Sequence, residues 1–316
     1  MFRGFPCTKF SQSGKQEGFG DQPIGRLVFY LVRIAKHRKP PCLLLENVRA
    51  LSSVTYKGIS CLRLICLAFQ KIGYHEVVHQ INALKAGVAQ SRDRMYLAVF
   101  REERSKDRYV ESLSNLGSPL RMALRKYQLG VKDILKKCSD KPDRHKNPDL
   151  FIRPDKIKED KKTSWRKAAR HVLCLDSEKP AHCVTAHYAK SSWDVTYICP
   201  KTKKFLGLPS KHEGVLKYDQ YKEIGVRLFT DEELHKLMGF SKIMKWTSTN
   251  KGARPKLLGN AVVPKVVAPI MAQMFEALGF PPYFPHDTLE SGIDLTVPQV
   301  EHAIVNMHGV DVHTFQ

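Results

Sequence analysis

Cys7 and Glu46 are the two residues whose types and settings most favour catalysis. Cys7 follows Pro6 in a loop rich in Gly, Ser and Gln, ahead of a segment with helical spacing of apolar residues. A thiol in such a turn is the setting expected for an activated nucleophile. Glu46 ends an apolar run, where burial raises the pKa of a carboxyl group and suits it to donate a proton. The ordinary alternatives are a structural loop cysteine and a solvated acid at a strand end.

Two arginines are further candidates for a catalytic role. Arg92 and Arg94 alternate directly before the apolar run 95–100, so they share a face if the segment is extended. Guanidinium groups on one face can hold a substrate oxygen and stabilise charge that develops on it. Their ordinary alternative is solubility at the edge of a strand.

The elements that must position these residues alternate between helical and strand patterns. Segments 24–37 and 61–72 have helical spacing, and 42–45, 75–80 and 95–100 are short apolar runs typical of buried strands. This alternation predicts an α/β fold with a doubly wound sheet, and places Glu46 at the carboxyl end of a strand, where such sheets bind ligands. Further along, the pattern predicts strands over 181–190 and 196–200, a helix over 231–238 capped by Thr230, and a helix over 263–278.

The composition favours a polyanionic partner inside a cell. The 316 residues carry a formal net charge of +21, and segment 101–170 alone holds 21 Lys or Arg against 11 Asp or Glu. Charge alone would equally fit any soluble basic protein. The eight cysteines form no CxxC pair, which disfavours a metal site, and reduced thiols indicate an intracellular protein. No apolar stretch approaches 18 residues, so no membrane span is expected.

Four short blocks, in order, carry a family resemblance. They are Pro6-Cys7-Thr8, Glu46-Asn47-Val48, Gln90-Ser91-Arg92-Asp93-Arg94 and Gly259-Asn260-Ala261-Val262. The chain thereby resembles the cytosine-5 DNA methyltransferases, whose blocks read PCQ, ENV, QxRxR and GNxV. The resemblance implies a partial doubly wound (Rossmann-like) methyltransferase sheet with an inserted basic target-recognition domain. It also implies methyl transfer from S-adenosylmethionine to carbon 5 of cytosine in duplex DNA.

The resemblance assigns a role to each matched residue. Cys7 matches the nucleophile that adds to carbon 6 of a flipped cytosine, and Glu46 matches the acid that contacts the base at N3. Arg94 matches the arginine that reaches the cytosine carbonyl, and Arg92 the one that braces the catalytic loop. Cofactor contacts are implied at Pro6, Asn260 and Ala261, and substrate contacts at Ser11 and Gln90.

The same resemblance divides the chain and sets the alternatives. The catalytic domain is expected over 1–102, a target-recognition region over 103–225, a return to the catalytic domain over 226–280 and a tail over 281–316. Family members carry a glycine-rich cofactor turn before the PC block, whereas six residues precede Cys7 here. The expectation is therefore an N-terminally truncated enzyme whose isolated chain binds S-adenosylmethionine weakly or not at all and methylates DNA undetectably. Its location would be the nucleus in a eukaryote or the cytoplasm in a prokaryote.

Three alternatives remain open at this point. The first is a catalytically inactive DNA-binding homologue that keeps the basic segment. The second is one half of a split enzyme, whose partner polypeptide carries the cofactor-binding half. The third is an RNA cytosine methyltransferase of the same fold. Thr8, in place of the family's glutamine, is expected to tune DNA binding more than chemistry.

Overall fold

The computed structural model of the chain describes residues 2–5, 10, 18–20, 24–124, 129–136, 150–152, 172–186, 188, 195–221, 223–240 and 253–280. Its strands are β1 Phe2–Gly4, β2 Cys42–Val48, β3 Thr55–Tyr56, β4 Ile59–Ser60, β5 His75–Asn82, β6 Gln90–Ser91, β7 Asp93–Phe100, β8 Phe151–Ile152, β9 Val172–Cys174, β10 Ala181–His182, β11 Tyr197–Cys199 and β12 Val226–Arg227. Its helices are α1 Leu27–Arg38, α2 Cys61–Gln70, α3 Glu103–Ser112, α4 Pro119–Ala123, α5 Val131–Leu135, α6 Tyr218–Tyr221, α7 Asp231–Leu237, α8 Ala253–Asn260 and α9 Pro264–Ala277.

A mixed four-stranded sheet with the order β1-β2-β7-β5 forms the centre of the fold. Strand β1 runs parallel to β2, whereas β7 runs antiparallel to both β2 and β5. The apolar run 42–45 is a strand buried along its whole length, as its composition predicts. Its environment is not purely parallel, because one of its two neighbours is the antiparallel β7.

The strand β2 is longer than its apolar run. The ladder continues through Glu46 to Val48, so that Glu46 pairs with Gly4 on one side and Tyr96 on the other. The expectation that Glu46 lies at the strand end is therefore wrong. The reason is that Asn47 and Val48 are buried as well and keep their places in the ladder with β7.

Helices cover both faces of this sheet. Leu43 and Leu45 of β2 belong to a hydrophobic cluster with α1 and α2. Cys42 and Leu44, which point the other way, belong to a second cluster that includes Tyr109 of α3 and several residues of α9. The chain thus builds a mixed α/β fold of three layers, with the sheet in the middle.

A second four-stranded sheet, β8-β12-β11-β9, follows in the chain and joins the second cluster. The predicted strand 196–200 is confirmed as β11. Among the described residues of the predicted strand 181–190, which are 181–186 and 188, Ala181–His182 forms a ladder and pairs in parallel with β6. The backbone at Val184 instead bonds to the side chains of Gln90 and Arg92, which removes it from any ladder.

A buried ion pair fixes the last strand of this sheet to α7. The two guanidinium Nη atoms of Arg227 lie 2.8 and 2.9 Å from the carboxylate oxygens of Glu233, and both side chains are almost fully buried. The Thr230 hydroxyl accepts from the Glu233 N–H, and Glu233 accepts from the Thr230 N–H. Thr230 thus caps α7 as predicted, whereas the arginine partner is not apparent from the sequence pattern.

The final helix begins at Pro264, close to its predicted start. By length and composition, the stretch Ala253–Ala277 is apolar enough to cross a membrane, so the expectation that no apolar stretch approaches 18 residues was too strict. In the fold, 61% of the most apolar 18 residues of this stretch are buried. Residues 261–263 are not helical and separate α8 from α9.

Candidate active site

Glu46 of β2 and Arg94 of β7 form a largely buried ion pair. Arg94 Nε lies 3.1 Å from Glu46 Oε1, because Arg94 stands opposite Val48 in the ladder that joins β2 and β7. Glu46 is only 9% exposed, and burial raises the pKa of its carboxyl group, against the opposing effect of the Arg94 and Arg92 guanidinium groups. The prediction that burial would raise this pKa is confirmed. A raised pKa favours the protonated form of this carboxyl group, which is the form that can donate a proton.

Arg92 joins three segments that are far apart in the sequence. Its Nη1 donates to the Val184 carbonyl at 2.9 Å, and its Nη2 donates to the carbonyls of Gly259 at 3.0 Å and Ala261 at 2.7 Å. The side chain is almost completely buried, and its Nε has no hydrogen-bond partner within the described part of the chain. The planar guanidinium group suits this task because it presents several donors in fixed directions.

The contacts of Arg92 place Asn260 at an exposed turn. The two carbonyls that Arg92 holds belong to the residues on either side of Asn260, which ends α8 and is itself exposed. Gly259 is needed there because a Cβ at this position would overlap the backbone of Thr185 and Ala186. The close approach of the two chains explains the glycine of the Gly-Asn block in physical terms.

Gln90 is fully buried beside Arg92. Its Nε2 donates to the Leu237 carbonyl at 2.9 Å, and its Oε1 accepts from the Val184 N–H at 2.8 Å. Both ends of the amide are therefore used within the protein. In this conformation Gln90 links α7 to the same segment that Arg92 holds.

Cys183 is a site residue that the sequence does not reveal. Its sulfur lies 3.3 Å from Arg92 Nη1 and 3.6 Å from Arg94 Nη2, so that both arginines meet at one thiol. This geometry confirms that Arg92 and Arg94 share a face. No spacing rule could have found Cys183, because about ninety residues separate it from the arginines.

Asn47 is a second residue that sequence reasoning missed. Its Nδ2 donates to the Phe5 carbonyl at 3.1 Å, and its Oδ1 accepts from the Val48 N–H at 2.9 Å. Phe5 directly precedes Pro6, so Asn47 fixes the backbone at the point where the chain enters the Pro-Cys block. The available signal was the asparagine that follows Glu46. Pro6, Cys7 and Ser11 themselves lie outside the described residues.

The structure thus brings together most of the predicted site residues that it describes. Arg94 contacts Glu46, Arg92 holds the backbone at Ala261 and Gly259, and both arginines contact the Cys183 sulfur. Asn260 is placed through its neighbours, with its side chain toward solvent.

Solved structures share this fold. A methyltransferase of Entamoeba histolytica, EhMeth, aligns over 88% of this chain and 77% of its own with a TM-score of 0.62 at 20% identity. The Dnmt2 methyltransferase of S. pombe aligns over 88% and 78%, with a TM-score of 0.58 at 18% identity. At this identity the likeness concerns the fold alone.

Sequence comparison goes further. The Type II methyltransferase M.Bsp6I of Bacillus sp. (strain RFL6) is 25% identical over 279 residues, which cover 88% of this chain and 79% of the relative. M.BanI of Aneurinibacillus aneurinilyticus is 33% identical over 155 residues, about a third of its length. The model of the C-5 cytosine-specific DNA methylases matches residues 1–276. With four sequence blocks, a clustered acid and arginine pair, and a family match over most of its length, the chain belongs to the C-5 cytosine-specific DNA methylase family.

Proposed function

We propose that this protein transfers a methyl group from S-adenosylmethionine to carbon 5 of cytosine in duplex DNA. The observation that carries the proposal is the buried Glu46 beside Arg94, with its carboxyl pKa raised by burial. A proton donor next to a guanidinium group matches what a pyrimidine ring needs when a nucleophile adds to it. The names of the relatives M.Bsp6I and M.BanI, both Type II methyltransferases, support the same activity.

In the proposed chemistry Cys7 is the nucleophile. Its thiolate forms a bond to carbon 6 of the ring, and negative charge moves toward N3 and the carbonyl oxygen on carbon 2. Glu46 gives its proton to N3, and Arg94 donates hydrogen bonds to this carbonyl oxygen. Carbon 5 then attacks an electrophilic methyl group, which is the chemistry that S-adenosylmethionine supplies when bound, with a thioether as the leaving group. Solvent takes the proton from carbon 5, the bond between carbon 6 and sulfur breaks to release the Cys7 thiolate, and N3 returns its proton to Glu46, which restores the aromatic ring.

Arg92 is a positioning residue in this proposal. It holds the Gly259 and Ala261 carbonyls, which presents the exposed Asn260 to the cofactor together with Ala261 and Pro6. Its buried Nε is left as a donor for the loop that carries Cys7, which is the bracing contact implied by the resemblance. Gln90 acts by holding Val184 in place, and Ser11 remains the proposed DNA contact within the Cys7 loop.

The proposed architecture is the Rossmann-like, doubly wound sheet of this family with an inserted target-recognition region. Helices on both faces of the central sheet and the three mutually parallel strands support it. We assign 1–102 and 226–280 to the catalytic domain, 103–225 to recognition and 281–316 to a tail. A DNA substrate places the protein inside the cell.

Capture on 5-fluorocytosine tests this function directly. Fluorine at carbon 5 cannot leave as a proton does, so the covalent adduct accumulates when S-adenosylmethionine is supplied. We expect a DNA adduct, stable to denaturation, with the unchanged protein and with Leu116→Ala at an exposed leucine, none with Cys7→Ser, and at least a hundredfold slower capture with Glu46→Gln. An adduct that persists in Cys7→Ser would contradict the proposal. A single-stranded RNA of the same sequence, run in parallel, tests the RNA alternative.

A further inference from the structure

A rigid turn in the second half of the chain presents an aromatic ring to solvent. The Thr202 hydroxyl accepts from the Phe205 N–H at 3.4 Å at the start of the turn. At its end the Leu208 N–H donates to the Lys203 carbonyl and the Gly207 N–H to the Lys204 carbonyl, with Gly207 at φ +66°. This pair of bonds forms a Schellman motif, the common glycine C-cap of a helical turn. Hydrogen bonds therefore fix the backbone on both sides of Phe205.

Phe205 lies at the tip of this turn and is 64% exposed. The Lys201 ammonium group stands 4.1 Å from the centre of its ring, within the range of a cation–π contact. The leucines on the following residues are half-buried and pack on the core, so they do not extend an apolar patch around the ring. An isolated exposed ring of this kind is better suited to stack on one flat partner than to join a protein interface.

The residues of the turn carry only positive charge. Residues 200–212 contain four lysines, at 201, 203, 204 and 211, and no acid. Of the nearby acids, Glu213 pairs with Lys179 at 2.8 Å and Glu178 pairs with Lys132 at 2.9 Å. Asp176 accepts from the Lys203 backbone N–H, and the Lys203 ammonium group donates to the Ser210 carbonyl, so both contacts anchor the turn. Lys201, Lys204 and Lys211 are the lysines that the turn offers to a polyanion.

We propose that this turn binds an unstacked nucleobase of a nucleic-acid strand, which stacks on Phe205 while the surrounding lysines contact the flanking phosphates. The inference rests on the proposed function for the presence of DNA, but it adds a feature of the ligand: a base that is out of its stack. Aromatic rings in a basic setting bind single-stranded segments in this way, because every base offers a flat face. The excess of lysines on the turn favours a nucleic acid over a neutral or basic protein partner.

Three short duplexes separate the effects of stacking and charge. One is fully paired, one carries a single bulged thymidine, and one carries a bulged abasic nucleotide at the same place. Fluorescence anisotropy of the full chain measures affinity for each. We expect the bulged thymidine to bind roughly tenfold more tightly than the abasic bulge, and Phe205→Ala to abolish this difference. Leu116→Ala, at an exposed leucine elsewhere, should retain it.

The lysines are tested in the same assay. Lys204→Ala with Lys211→Ala should weaken binding to all three duplexes equally and reduce the salt dependence by about two phosphate contacts. Equal affinity of the unchanged protein for both bulges, or a thymidine preference that survives Phe205→Ala, would overturn the proposal. Because binding is read without methyl transfer, these outcomes are independent of the fluorocytosine result.

Discussion

At the scale of single residues, Glu46 combines a carboxyl group, a low exposure and an arginine partner. Burial outweighs Arg94 in setting its pKa, so the group binds its proton more tightly in the folded protein than in the unfolded chain. The protonated form, which the raised pKa favours, is the form that can donate a proton to a substrate. The raised pKa also makes the stability of the protein depend on pH in a defined direction.

We predict that the free energy of unfolding of Glu46→Gln, relative to that of the unchanged protein, increases as the pH rises above 4.5, the ordinary pKa of the carboxyl group. Below that value both forms are neutral at residue 46. Above it the unfolded chain loses the proton first, which lowers the free energy of unfolding of the unchanged protein until the folded pKa is passed. Each pH unit between the two pKa values contributes about 1.4 kcal/mol. Thermal unfolding at several pH values measures the difference, and Glu111→Gln, at an exposed acid, is the control. A difference between Glu46→Gln and the unchanged protein that shrinks with rising pH would contradict the stated direction.

Gly259 is the second residue with a sharp consequence. We predict that Gly259→Ala lowers the free energy of unfolding by about 1–3 kcal/mol, because the new methyl group must displace the backbone at Thr185 and Ala186. The same displacement moves the carbonyls that Arg92 holds, so fluorocytosine capture should slow as well. Chemical denaturation measures stability. Gly20→Ala, where a Cβ meets nothing within 4 Å, should change neither quantity.

At the scale of elements, β12 and α7 depend on one buried ion pair. We predict that Glu233→Gln costs about 3–5 kcal/mol, since it leaves the Arg227 guanidinium group buried without its counter-charge. Replacing both residues, as Arg227→Met with Glu233→Leu, should recover most of that loss. Glu232→Gln on the same helix removes the pair with Lys236 and should cost under about 1 kcal/mol. If the single and double changes at the buried pair are equally destabilising, the charge is not the cause.

Several of the elements could be predicted from the sequence, because their signals are local, whereas others such as α3 and β12 were not predicted. The apolar periods gave α1, α2, β2, β5, β7 and α9 within a few residues, and Thr230 gave the start of α7. The contacts between elements could not be predicted in this way. Nothing in the spacing of residues states that Arg92 meets Val184 and Ala261, or that Cys183 lies beside Arg94. The family resemblance predicted the candidate site residues, whereas their contacts became known only from the structure.

At the scale of the whole molecule, we predict that the net charge of +21 governs the proposed association with DNA. With about 6 phosphate contacts, affinity for a short duplex should fall roughly a thousandfold between 50 and 200 mM salt, because each contact releases condensed counterions. Equilibrium binding across this range measures the slope. Replacement of the lysines and arginines of segment 153–170 by alanine should flatten it, whereas Cys7→Ser should not. Affinity that does not respond to salt would exclude the basic segment as a DNA contact.

The contacts of Arg92 also determine when, during synthesis of the chain, its guanidinium group can be buried. Gly259 is made 167 residues after Arg92, a delay of roughly 10 to 30 s at ordinary rates of translation. Throughout that interval the guanidinium group has no carbonyls of Gly259 and Ala261 to bind, and burying it alone would be costly. Arg92 and the start of β7 are therefore expected to remain exposed to solvent until residues 259–261 have been synthesised. A nascent chain stalled before residue 259 would expose this end of the sheet to chaperones and proteases, whatever the stability of the helices already formed.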